Sequence, residues 1–278
     1  MAYVFFVLLG ALVLGIGTPP NAPAQEAAPP VEHDPVKPDT PARRAYLPAP
    51  LPNTGAIIGP PPASSSAASA ADIATFWSTR ALQGSPRWAL ATNDVAQSAA
   101  AVLDNFACAL GYRLNPAAVP KLITLFDRVR LDVANATRMP KDHYRRIRPH
   151  IGNDAPLCVV RDPHVEDTFS YPSSHATLGW TLALILASLV PERATAILTR
   201  GRVYGESRVI CGLHWRTDVE AGRTIAAALY AALAGHAAFR ADLEAVRTEL
   251  QQALAASETK PDAGTCEVEA AATATAFP

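Results

Sequence analysis

Charge imbalance is what the sequence most clearly lacks: 24 Lys and Arg against 25 Asp and Glu leave a formal net charge of −1 over 278 residues. That excludes a nucleic-acid coat or a polybasic membrane binder, so any anion site must come from a local group of cations. Cysteine is sparse, at positions 108, 158, 211 and 266, and no CxxC pair occurs, which argues against zinc ligation. No HExxH and no Asp/Glu cluster at two-metal spacing is present, so neither a metal nor another cofactor is expected. Strand-like alternation and internal repeats are missing too. Beyond the N-terminus no segment is a comfortable membrane span, which needs about 20 apolar residues. Residues 176–190 are too few, and 219–235 carry Glu220 and Arg223.

What is there divides the chain into four parts. "MAYVFFVLLGALVLGIG" is an apolar run of secretory length, and "APA" at Ala22–Ala24 places a cut before Gln25, although no Lys or Arg precedes the run. Residues 1–24 are therefore expected to be a signal peptide and the mature protein periplasmic or secreted. Of the 25 prolines, 14 fall between Pro19 and Pro62, so 25–70 reads as extended or disordered linker. From about Ala71 apolar residues recur at three and four, as on amphipathic helices. One such pattern runs from Pro116 and is expected to end before Pro140. The stretches 176–190 and 219–235 are apolar nearly all round, as helices in the middle of a bundle are. The reading is one all-α helical domain over 71–256, followed by a loose low-complexity tail at 257–278.

Three islands carry unusual chemistry: "KDHYRRIRP" (141–149), "YPSSH" (171–175) and "SRVICGLHWRTD" (207–218). Each alone is weak, because a lone Arg148 or His175 is more often a surface or structural residue, and His214 and Asp218 could be an ordinary i,i+4 pair. Their order is informative. Lys141, six residues, Arg148-Pro149; then Pro172-Ser173-Ser174-His175; then Ser207-Arg208, five residues, His214, three residues, Asp218. This resembles the KX6RP, PSGH and SRX5HX3D signature of the phosphatidic acid phosphatase type 2 superfamily. Within it, "GESRVICGLHWRTDVEAGR" (205–223), "GSPRW" (84–88) and "YLPAPLP" (46–52) are similar to the secreted bacterial class A non-specific acid phosphatases. The resemblance covers about residues 46–252.

It implies a helical fold of the acid phosphatase and vanadium haloperoxidase type, acting on small phosphomonoesters without a metal. Lys141, Arg148 and Arg208 would hold the phosphate, with Ser173, Ser174 and the start of the following helix as further donors. At an effective dielectric near 20, each charge pair at 4 Å is worth about 4 kcal/mol before desolvation, and arginine adds a planar fork. His214 would be the nucleophile, Asp218 would fix its tautomer, and His175 would be the general acid. Ser174 stands where the family pattern has Gly, and is expected to turn its side chain outward so that its N–H stays available. The resemblance also implies a Cys158–Cys211 disulfide, against the alternative of two buried thiols, while Cys108 and Cys266 are left open.

Arg145 and Arg146 are expected to face solvent, with the site rim as the alternative for both. His143, His150 and His164 have no matched role and read as surface residues. Trp88 and Trp180 read as core, and Tyr171 and Trp215 are candidates for a leaving-group pocket. The rival readings are a vanadium-dependent haloperoxidase, a membrane-embedded lipid phosphatase and a non-catalytic phosphate-binding protein. No nucleic-acid partner and no stable membrane insertion of the mature chain are expected, and a homo-oligomer is allowed.

Overall fold

The structure is a computed structural model that describes residues 44–49 and 51–274; the leader expected at 1–24 lies outside the described residues. The elements are α1 (Thr54–Ile58), α2 (Ala67–Arg80), α3 (Pro86–Asn93), α4 (Ala99–Asn105), α5 (Ala107–Leu110), α6 (Pro120–Tyr144), α7 (Pro163–Glu166), α8 (Ser174–Leu189), α9 (Ala194–Ile210), α10 (Arg216–Gly235), α11 (Ala237–Ala256) and α12 (Ala263–Ala274). Among the described residues there is no β-strand. The all-α expectation holds.

Helix α8 is apolar on every side and sits where that composition requires, packed by α9, α10 and α6. Two glycines set how closely α8 and α9 approach. A Cβ on Gly179 would stand 2.2 Å from the Tyr204 ring, and one on Gly201 would stand 2.5 Å from Ala183 Cβ. Leu122, Phe126 and Val129 of α6, Leu182 and Ile185 of α8, and Leu229 of α10 share one core with Phe239 and Val246 of α11. Each such side chain contributes about 1.5–3 kcal/mol of transfer free energy when fully buried.

Helix α6 does not stop before Pro140 but continues through it to Tyr144. Proline lacks the N–H that would bond Ala136 O; instead Thr54 Oγ1 donates to that carbonyl at 2.6 Å. The continuation puts Lys141 on the last turn of a helix rather than on a loop.

Both ends of the domain are more ordered than linker and tail composition suggests. The Tyr46 and Leu47 N–H groups each donate at 2.9 Å to the buried carboxylate of Asp132, and Tyr46 packs edge-on against Phe239. At the other end, Cys266 of α12 is disulfide-bonded to Cys108 of α5, with Cα atoms 5.4 Å apart. Glu269 then reaches the buried Arg200 at 3.3 Å. In each case a polar residue on the core takes up groups that composition alone cannot place.

Candidate active site

The C-terminal ends of α6 and α9 meet the N-terminal ends of α8 and α10, and the three islands occupy those ends. Local chemistry explains each placement. Ser173 caps α8: its Oγ accepts from Ala176 N at 3.2 Å, and its carbonyl accepts from Thr177 N at 3.0 Å. The N–H groups of Ser174 and His175 are thereby the first-turn donors left over for a ligand. Helix α10 crosses that turn so closely that a Cβ on Gly222 would lie 2.6 Å from Ser173 O. Ser173 N in return donates to Asp218 O at 3.0 Å.

The α9–α10 connection folds back on itself, because Leu213 N and His214 N both donate to Arg208 O, at 3.1 and 3.3 Å. Gly212 makes this turn at φ +76°, where a Cβ would stand 2.7 Å from Arg80 Nη1 and from Leu157 Cδ2. Cys211 is disulfide-bonded to Cys158, with Cα atoms 4.7 Å apart, which ties this turn to the loop after the first island.

His214 lies between a cation and a carboxylate. Arg148 Nη1 stands 3.1 Å from His214 Nε2, and Asp218 Oδ2 stands 3.5 Å from Nδ1, beyond good hydrogen-bond geometry. Arginine can only donate, so Nε2 is the acceptor and the proton of the neutral ring is on Nδ1, facing Asp218. Arg148 is itself fixed, donating from Nε to Thr168 O at 3.0 Å, from Nη2 to Thr168 Oγ1 at 2.8 Å and from Nη1 to Leu213 O at 2.8 Å. Lys141 Nζ donates to Phe169 O at 2.7 Å. Arg208 is different: its Nε and Nη1 are buried with no partner.

The His175 ring stacks on Tyr204, centroids 4.5 Å apart and 10° between planes. Both of its nitrogens are buried without a hydrogen bond; the Asp94 carbonyl lies towards the ring but outside bonding geometry.

The electrostatics follow from burial first and mutual repulsion second. Burial, then the nearby Arg148, lowers Lys141 to about 7. Burial brings Arg148 and Arg208 down to about 10. His214 is held well below the usual histidine range by burial and then by Arg148, Lys141, Arg208 and His175. His175 is held there by burial and Arg208. Burial raises the Asp218 carboxyl, opposed by Arg146 and the Trp215 N–H. Lys141, Arg148, Arg208 and both imidazoles thus form one buried, mutually interacting cluster whose cations favour a bound anion.

Ser174, the departure from the family pattern, has its Oγ 2.7 Å from Thr137 Oγ1 of α6. Several other expectations need correction. His150 is buried rather than on the surface, with Nδ1 3.1 Å from Gly212 O. Arg146 does not face solvent but binds Asp218 Oδ1 and Asp72 Oδ2, each at 2.7 Å. Arg145 and His143 are exposed as expected, whereas the His164 side chain lies outside the described residues. The Tyr171 hydroxyl donates to Gly59 O at 3.2 Å, so it braces α1. Trp215 Nε1 donates to Ile147 O at 2.8 Å. Asp72, Thr168 and Tyr204 take part in or support the site without any motif to flag them, and Arg146 does so from a variable position inside the first island.

A family model, the PAP2 superfamily, matches residues 130–240, a span that holds all three islands. The chain is 44% identical over 216 residues to the acid phosphatase of Zymomonas mobilis subsp. mobilis, covering 77% of this chain and 81% of that one. It is 34% identical over 200 residues to the non-specific acid phosphatase of Salmonella typhimurium, covering 71% and 80%. It is likewise 34% identical over 196 residues to that of Providencia stuartii, covering 70% and 79%. Likeness over most of both chains, with the islands drawn into one pocket, places this protein in the PAP2 superfamily among the non-specific acid phosphatases, and it is a phosphatase.

Proposed function

We propose that the protein hydrolyses a broad range of phosphomonoesters through a phosphohistidine on His214, without a metal and outside the cytoplasm. The observation that carries this reading is the setting of His214, with Nε2 directed at Arg148 in the pocket and Nδ1 towards Asp218. Lys141, Arg148 and Arg208 receive the phosphoryl oxygens together with the first-turn N–H groups of α8 and the Ser173 hydroxyl. An arriving phosphate takes over the Arg148 donor, which frees the Nε2 lone pair. Nε2 forms a bond to phosphorus as the P–O bond to the leaving group breaks, and His175 supplies the proton that the departing alkoxide needs. The ring then carries substituents on both nitrogens and a positive charge, which Asp218 stabilises. In the second half, His175 takes a proton from water, the water oxygen attacks phosphorus, and the N–P bond breaks to give inorganic phosphate. The fixed cations stabilise charge spread over the equatorial oxygens, a task a metal performs elsewhere.

Mixing enzyme with a labelled phosphomonoester, quenching without acid and mapping the modified peptide tests the intermediate. Label on His214 is the expected result, and label on another side chain would refute the assignment. Turnover should persist in EDTA; loss of activity restored by one added metal would overturn the metal-free reading. The two disulfides suit an oxidising compartment, which supports a periplasmic or secreted location.

Protonation gives a sharper expectation. Both imidazoles are held below the ordinary range by burial and the nearby cations, which favours their neutral forms in the empty pocket. The proton that ends on the leaving group must then enter with the substrate, as its monoanion, and reach His175 after binding. kcat/KM should therefore fall on the alkaline side with the second ionisation of the substrate phosphate, about pH 6 for an alkyl phosphate. A phosphomonoester with a more acidic phosphate should move that limb to lower pH by the same interval. A limb at one pH for both substrates would locate the proton on the free enzyme instead.

A further inference from the structure

Arg146 joins charged groups from three parts of the chain. Its Nη1 donates to Asp218 Oδ1 and its Nη2 to Asp72 Oδ2, both at 2.7 Å, and Nη1 also donates to Thr217 Oγ1 at 2.7 Å. Asp72, on α2, is 2% exposed and accepts further from Thr217 N at 3.0 Å and Thr217 Oγ1 at 2.5 Å. Asp218 Oδ2 accepts from Trp215 N at 2.9 Å and faces His214 Nδ1. The guanidinium fork is therefore occupied by two carboxylates on the side of His214 away from Arg148. It is not one of the groups directed at phosphate.

We propose that Arg146 and Asp72 are positioning residues for His214, clamping the Asp218 carboxylate so that Oδ2 stays facing Nδ1 while phosphate occupies the pocket. The proposal rests on the phosphohistidine reading above. The need for a clamp is physical. Lys141 and Arg148 also attract Asp218, and an unrestrained carboxylate would be drawn towards them and away from the ring it must serve. Asp72 keeps Arg146 in place by balancing its charge, and Thr217 fastens Asp72 to the first turn of α10. The result is an alternating row of carboxylate, guanidinium, carboxylate and imidazole.

The charged and titratable groups around Asp218 fix the sign of the pH test. They are Arg146 and Arg148 after α6, Lys141 on α6, Asp72 on α2, Tyr171 before α8 and His214 before α10; Arg208 on α9 and His175 on α8 lie beyond His214. Helix α1, which also touches α10, carries no charged side chain. Arg146→Gln removes the principal cation opposing protonation of Asp218, so the carboxyl titrates higher and the acid limb of kcat/KM moves up. Asp72→Asn removes a neighbouring negative charge, so the limb moves down.

The experiment measures kcat, pH profiles and inhibition by inorganic phosphate for wild type, Arg146→Gln, Arg146→Lys and Asp72→Asn. Arg146→Gln should lower kcat about 10- to 100-fold and raise the acid limb by about one pH unit, with the phosphate inhibition constant changed less than about threefold. Arg146→Lys should return the limb close to its wild-type position with intermediate kcat, and it remains informative if the glutamine variant does not fold. Limbs that stay still, or move the same way in Arg146→Gln and Asp72→Asn, would overturn the proposal. So would phosphate affinity lost in parallel with kcat, the mark of a merely structural role. Quenched wild-type enzyme separates the two levels: without label on His214 the underlying reading fails, and with label but unmoved limbs only the clamp fails.

Discussion

Replacing His214 by alanine is expected to lower kcat by about 10,000-fold or more, the scale on which removing a nucleophile or its proton partner acts. Affinity for inorganic phosphate should survive within a small factor. The expectation follows from how the pocket is held together. Arg148 is fixed by Thr168 and Leu213 O, and Lys141 by Phe169 O, so neither relies on the imidazole for its position. The alanine variant keeps the backbone N–H groups that fold the turn onto Arg208 O. Single-turnover kinetics with p-nitrophenyl phosphate, and thermal shifts with added phosphate, measure the two quantities separately. Phosphate binding lost along with turnover would mean that His214 organises the pocket rather than attacks in it.

Arg208→Met should produce opposite changes in activity and stability. Two donors of Arg208 are buried with no protein partner, and the like charge of Arg148 stands close by. A buried donor without a partner costs about 1–3 kcal/mol, and a bound oxyanion supplies that partner. Methionine fills similar space without the charge. The variant should melt several degrees higher, since 1 kcal/mol is worth about 2–4 °C at this size. It should also lose about 100- to 1,000-fold in kcat, the scale for one oxyanion donor, and most of its thermal stabilisation by phosphate. Differential scanning calorimetry with and without phosphate checks both signs. A lower melting temperature without phosphate would show that Arg208 is part of the scaffold.

How much of this was legible depended on distance along the chain. His214 and Asp218 are only four apart, so the turn that opens α10 at Arg216 was enough to bring the carboxylate back towards the ring. The start of a buried helix near His175 could be read from the apolar run that follows Ser173 and Ser174. Arg146 and Asp72 could not be paired, because they are separated by 74 positions and nothing in the sequence of α2 marks an aspartate as buried. Proline at 140 misled for a related reason: the hydroxyl that occupies the orphaned carbonyl comes from Thr54, 82 residues upstream of Ala136. His150 looked like surface because its partner, Gly212 O, becomes a neighbour only when the first and third islands meet. Composition likewise could not reveal that Asp132 binds the end of the proline-rich segment, or that Cys266 anchors the final helix.

The bond between Cys108 and Cys266 spans 158 positions and so closes α6 to α11 into one covalent ring, with α1 to α4 outside it. On the chain-entropy view, closing a ring that large restricts the unfolded protein by on the order of 5 kcal/mol, comparable to the entire margin by which many domains stay folded. A host whose cytosol keeps thiols reduced would make the same polypeptide without that hoop, and its last helix would have only side-chain contacts to hold it. The choice of expression compartment is thus part of the molecule's stability, and preparations made in different compartments are different materials.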